Sequence, residues 1–158
     1  MTATPLIEAE TPADAAAIEA VTLAAFGPGR FAKTAERLRE RSPLAAGFVA
    51  REDGRVIGSV RLWSISIDGV PALFLGPIAV ERSSRRAGLG AALVQACVDH
   101  AQAIDGLGGV LLVGDPPYFT RFGFLSASAV SLPGPADPRR IMWLPLLQSV
   151  PSGLACSR

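Results

Sequence analysis

Cysteine, histidine and tyrosine are nearly missing from this 158-residue chain, which has two, one and one of them. Cys97 and Cys156 lie far apart and have no metal-ligand spacing. That argues against a disulfide framework, and a reduced, cytoplasmic protein with no metal centre is expected. Charge is also sparse: 18% of residues are charged and the formal net charge is +1. Such a balance gives no global attraction to nucleic acid or to an anionic membrane, so neither is expected as a partner. Any anion site must be local, which draws attention to Arg82, Arg85 and Arg86. Residues 1–8 lack a basic segment followed by an apolar one, so no signal peptide is expected. The apolar run near residues 71–80 is short and broken by Pro71 and Pro77, too little for a membrane span.

What is present is a globular composition, 49% hydrophobic, at a length suited to one domain of residues 1–158. Thr4–Glu8 reads as a first strand. Thr11-Pro12-Ala13-Asp14 has the hydroxyl, proline and early acid of a helix start. That helix runs through Ile18, Val21, Leu23 and Ala25 to Gly27-Pro28-Gly29, and a second helix is predicted over Phe31–Arg41. The period then changes to two. Gly47–Arg51, Arg55–Ile67 and Ala72–Val80 read as consecutive strands, joined by the hairpin dipeptides Asp53-Gly54 and Asp68-Gly69. A helix follows over Arg85–Asp105, with Leu89, Leu93, Ala96, Cys97, His100 and Ile104 on its apolar face. Val110–Val113 is wholly apolar, as a strand covered on both faces would be, and should lie parallel to Ala72–Val80 in a βαβ unit. Tyr118–Phe122 makes a brief helix closed by Gly123. The remainder is rich in Pro, Gly and Ser, with one strand at Arg140–Leu144.

The chemistry concentrates where the third meander strand gives way to the long helix. Gly88 and Gly90 stand in the helix's first turn beside Arg85 and Arg86. A helix N-terminus presents free amides and a positive dipole end to an anion, glycine lets a phosphate approach the backbone, and guanidinium groups pair with phosphate oxygens. The alternative is that both glycines allow close helix–sheet packing and the arginines are merely solvated. A Walker A loop is excluded, because Leu89-Gly90-Ala91 supplies neither lysine nor hydroxyl. A dinucleotide loop should follow a first strand, whereas this one follows an antiparallel meander.

Arg85-x-x-Gly88-x-Gly90 resembles the Arg/Gln-x-x-Gly-x-Gly/Ala signature of the GNAT superfamily of N-acetyltransferases. Gly76-Pro-Ile-Ala-Val80 is similar to that family's bulged fourth strand. Gly114-Asp-Pro-Pro-Tyr-Phe-Thr-Arg-Phe-Gly-Phe124 resembles the ending of one bacterial branch. The similarity in element order runs from about Leu6 to Phe124. It implies a mixed α/β fold, an antiparallel meander plus a βαβ unit whose fourth and fifth strands splay apart. It implies acetyl-CoA as co-substrate, with Ile78, Ala79 and Val80 along the pantetheine arm. Arg85, Arg86, Ala87, Gly88, Leu89 and Gly90 would surround the pyrophosphate. A backbone amide near Ile78 would face the acetyl carbonyl. The reaction implied is direct attack of an amine, from a small molecule or a peptide N-terminus, on the thioester, by a monomer or homodimer.

Two departures stand out. Arg86 replaces a usual glycine. Phe119 occupies the position where the family commonly has its proton-donating tyrosine, and Tyr118 lies one step earlier, about 100° round a helix. Tyr118 is nevertheless the only phenol available as an acid; the alternative is a packed aromatic. Glu81 is the candidate base, against a plain solvated acid that offsets Arg82. Glu52, Asp53 and Asp68 read as turn residues, and His100 as a buried histidine remote from the thioester. Trp63 and Trp143 either line the acceptor groove or belong to the core, and Cys97 belongs to the core. The missing tyrosine keeps a second function open, that of a non-catalytic acyl-CoA-binding or regulatory domain.

Overall fold

The computed structural model describes residues 5–26, 42–82, 88–134 and 136–157. The helix predicted over Phe31–Arg41 and the stop at Gly27-Pro28-Gly29 lie outside the described residues. The meander comprises β1 (Leu6–Ala9), β2 (Leu44–Glu52), β3 (Arg55–Ile67) and β4 (Val70–Val80), each antiparallel to the next. Both Asp-Gly loops have positive φ at both residues: 50° and 77° at Asp53-Gly54, and the same at Asp68-Gly69. That is the mirror-image turn whose twist matches a hairpin, which explains the sequence signal.

Helix α1 (Ala15–Phe26) packs on β3 and β4. The single turn ahead of it, Pro12–Asp14, is held by Asp14 Oδ2, which accepts from the Thr11 amide at 2.9 Å and the Thr11 hydroxyl at 3.1 Å. Arg51 Nη2 donates to both Asp14 oxygens, at 3.1 and 3.0 Å, and so ties this turn to β2. The guanidinium and the Thr11 amide hold the Asp14 carboxyl down at about 2.

Helix α2 (Leu89–Gln102) crosses back over β2, β3 and β4. It buries Leu89, Leu93, Val94, Cys97, Val98 and Ala101. The predicted stripe is therefore right at Leu89, Leu93 and Cys97 and rotated elsewhere. Ala96 and His100 are half-buried, and Ile104 lies beyond the helix end, exposed. The helix spans three strands, so its contact face is broader than one row of side chains. Strand β5 (Gly109–Val113) then runs parallel to β4, as the βαβ reading required.

Beyond the short helix α3 (Pro116–Phe119) come β6 (Leu125–Ser126), β7 (Val130–Ser131), β8 (Ile141–Pro145) and β9 (Gly153–Ser157). The sheet follows the order β1-β2-β3-β4-β5-β8-β6. Strand β9 pairs with β3 at Ile65–Ile67, past the point where β2 stops at Trp63. Of β6 to β9, the sequence pattern announces only β8. β6 and β7 are each two residues long, and β9 has little alternation, so periodicity had nothing to register.

Two cores result. One lies between α2 and the sheet, centred on Val60, Leu62, Leu93, Leu112 and Phe124. The other gathers Ile65, Ile67, Phe74, Leu111 and Trp143 with Ala127, Val130 and Ala155 of the C-terminal segment. Among the described residues, no helix is long and apolar enough to cross a membrane.

Candidate active site

The site begins where β4 leaves β5. The parallel ladder pairs Ala72 with Gly109, Leu73 with Val110 and Phe74 with Leu111, and stops there. β4 continues to Val80 and β5 to Val113, so the strands separate beyond Phe74. At the same place β4 bulges: Leu75 faces Leu62 and Ile78 faces Val60, so Gly76 and Pro77 together stand opposite Arg61. The extra residue resets the alternation and puts Ile78 and Val80 on the same face as Leu73 and Leu75.

The direction of the backbone follows from one hydrogen bond. The Glu81 amide donates to Ile57 O at 2.8 Å, toward β3. Backbone groups alternate along a strand, so Ala79 also turns toward β3, while Ile78 and Val80 direct theirs to the side vacated by β5. Of the three strand residues expected along the opening, Ile78 and Val80 present backbone to it. Ala79 belongs to the ladder.

The first turn of α2 lies at the end of β4. Arg85, Arg86 and Ala87 are outside the described residues. Gly88 has φ 72°, the left-handed conformation that a side chain disfavours. Among the described residues, a Cβ on Gly88 would meet nothing within 4 Å, and one on Gly90 would meet only the Tyr118 hydroxyl, at 3.3 Å. Close helix–sheet packing therefore does not account for these glycines, since neither abuts the sheet. They keep side chains away from a helix end whose first amides lack intrahelical acceptors. Leu89 is buried and anchors the turn.

Tyr118 closes the other side. It stands on α3, which follows β5, yet its hydroxyl approaches Gly90 on the helix that follows β4. It therefore bridges the mouth of the opening. Arg121 keeps it there, with its guanidinium 4.1 Å over the ring and its Nε donating to Tyr118 O at 3.0 Å. Phe119 is buried, edge-on to Tyr118 and Phe124, and its ring fills the space that a side chain at Gly114 would need.

Glu81 lies elsewhere. Its Oε1 accepts from Arg55 Nη1 at 2.6 Å, so it offsets Arg55, where sequence reading had paired it with Arg82. Its Oε2 is buried and has no hydrogen-bond partner among the described residues. Glu81 lines a cleft of about 460 Å³ against Ala17, Ala20 and Ala24 of α1, whose lining includes neither Ile78 nor Tyr118. His100 is half-buried, not buried as expected, and stands edge-on to Phe48 at 5.8 Å in the last turn of α2. Cys97 is buried in the core, which pushes its thiol up to about 12. Trp143 is fully buried and donates to Gln148 O at 3.0 Å. Trp63 is half-buried, and its Nε1 donates to Gly76 O, in the bulge, at 2.6 Å. That contact and the Arg121 stack were invisible in sequence, because each joins residues by geometry that no spacing announces. Among the described residues no group of acidic, histidine or cysteine side chains is arranged to hold a metal ion.

The mixed sheet, the bulged fourth strand and the parting of two parallel neighbours are the features that the resemblance to the GNAT superfamily implied. Residues 15–124 match the model of the acetyltransferase (GNAT) family. The chain is 36% identical over 122 residues to the uncharacterized N-acetyltransferase YhbS of Escherichia coli strain K12, covering 75% of this chain and 72% of that one. It is similar in structure to E. coli YhbS solved in complex with CoA, with a TM-score of 0.83 and 29% identity over 98% of this chain and 90% of that one. A GNAT family acetyltransferase from Brucella melitensis in complex with acetyl-CoA gives a TM-score of 0.76 and 27% identity over 98% of this chain and 96% of that one. The chain belongs to the GNAT family of acetyltransferases.

Proposed function

We propose that the protein is a single-domain N-acetyltransferase that moves the acetyl group of acetyl-CoA onto the nitrogen of a small amine or a peptide N-terminus. The parting of β4 from β5 beyond Phe74, next to an open helix end, carries this reading. The arm of the co-substrate runs along Ile78 and Val80. Its pyrophosphate sits against Gly88, Leu89 and Gly90, with Arg85, Arg86 and Ala87 completing the loop. The CoA and acetyl-CoA complexes of the two similar proteins support this.

In the reaction the amine lone pair attacks the thioester carbonyl and forms the new C–N bond, and the C–S bond breaks as the thiolate leaves. The Ile78 amide is the donor for the oxygen that gains charge. Tyr118 gives its proton to the departing sulfur, a role supported by its position across the mouth of the opening. Glu81 is the candidate base for the amine proton. Glu81 and Tyr118 line different spaces, so it would act through water.

The test is thiol release from acetyl-CoA in the presence of a panel of small amines and peptides with free N-termini. Release that depends on one of these acceptors supports the reading. CoA binding without release from any of them would favour the second reading, a non-catalytic acyl-CoA-binding domain, for which the burial of Phe119 at the family's tyrosine position is the argument.

A further inference from the structure

The bulge in β4 leaves Gly76 and Pro77 facing a single residue, so one carbonyl there has no ladder partner. An unpaired carbonyl at a strand irregularity lets the strand slide or straighten, and straightening would return Ile78 to the wrong face. In this chain the Gly76 carbonyl accepts the indole N–H of Trp63 at 2.6 Å. Trp63 is itself fixed from behind. The Arg61 guanidinium lies 5.9 Å over its ring and is gripped by Glu10, Nε to Oε1 and Nη2 to Oε2, both at 2.9 Å. Glu10 is in turn anchored to β2, its amide donating to Gly47 O at 2.9 Å. A side chain at Gly47 would collide with the Glu10 carboxylate.

We infer that Trp63 is a positioning residue for acetyl transfer: its indole N–H pins the Gly76 carbonyl and so fixes the bulge that aims Ile78 into the opening, with Glu10 and Arg61 holding the ring in place. This rests on the proposed use of the opening by the pantetheine arm of acetyl-CoA. It separates two parts of the co-substrate. The nucleotide end meets α2, whose buried residues belong to the first core, whereas Trp63 packs against the second. The pantetheine arm meets β4, whose bulge Trp63 holds.

The test compares CoA with adenosine 3′,5′-bisphosphate, which lacks the arm, by calorimetry on the full chain. Trp63→Phe keeps an aromatic ring and removes the donor. It should weaken CoA by roughly fivefold, the worth of one neutral hydrogen bond, and leave the bisphosphate unchanged. Glu10→Ala should show the same split and Glu10→Gln, which still bonds Arg61, a smaller one. Amide exchange over residues 75–80 should quicken in Trp63→Phe while that of α2 does not. Equal losses for both ligands, or no loss for either, would overturn the inference, as would unchanged exchange over 75–80. Absence of CoA binding by the parent chain would sink the functional reading instead, and the exchange measurement would still decide the role of Trp63.

Discussion

Gly90 and Tyr118 face each other across the mouth of the opening, and each substitution there separates two effects. Gly90 sits in a helix, where glycine is disfavoured against alanine by roughly 1 kcal/mol. The Tyr118 hydroxyl is the far end of a side chain and can retreat slightly, so Gly90→Ala should be more stable by about that amount and still bind CoA. Gly90→Leu fills the open space and should weaken CoA by roughly tenfold or more, equivalent to about 1.4 kcal/mol. Calorimetry with thermal melting reads both, and a Gly90→Leu protein with parental affinity would place the pyrophosphate elsewhere. For Tyr118, removal of the hydroxyl in Tyr118→Phe should slow thiol release by about 10²-fold, the lower range for a positioned acid. CoA affinity should hardly move, because the ring still stacks under Arg121. A parental rate would leave water as the proton source. The glycines and Tyr118 were legible as residues. Their meeting was not, because it depends on α3 leaning across from one strand to the helix that follows another.

The turn that launches α1 shows how a whole element can hang on one carboxylate. Asp14 lies below its ordinary value of 3.8, at about 2, through Arg51 and the Thr11 amide. A group depressed on folding adds stability that is complete above its unfolded value and disappears as pH falls through its folded one. The stabilisation from Asp14 should therefore be full above about pH 4 and lost toward about pH 2. Asp14→Asn should melt lower than the parent at neutral pH, and the gap should close across that window when melting temperature is followed by circular dichroism. A gap unchanged by pH would mean that the turn does not depend on the ionised carboxylate. Thr11-Pro12-Ala13-Asp14 announced this turn in sequence, and the Asp-Gly pairs announced both hairpins, because those signals are local. Arg51 as the partner was not announced, since it sits on a strand far along the chain. The bulge at Gly76-Pro77 was recognised from resemblance, whereas the Trp63 bond that holds it is a cross-strand contact.

At the scale of the whole molecule, α2 closes one core on the sheet, and the C-terminal segment closes the other on β3, β4 and β5. Ala155 is fully buried in the second, while its neighbour Cys156 is exposed. Ala155→Asp should cost more than about 2 kcal/mol in chemical denaturation, because an unpaired polar group would enter an apolar space. Cys156→Ser should change stability by less than about 0.5 kcal/mol. Equal effects would mean that β9 is not docked as described. The first core was legible because its strands and helix carry clear periods. The second was not, because β6, β7 and β9 are short and are defined by what they lie against. The pairing of β9 with Ile65–Ile67 also sets an order in time. The hairpins from β2 to β4 close between neighbours in the chain and can form early, but the outer edge of β3 must wait for residues 155–157. During synthesis that edge stays unpaired until those residues have left the ribosome.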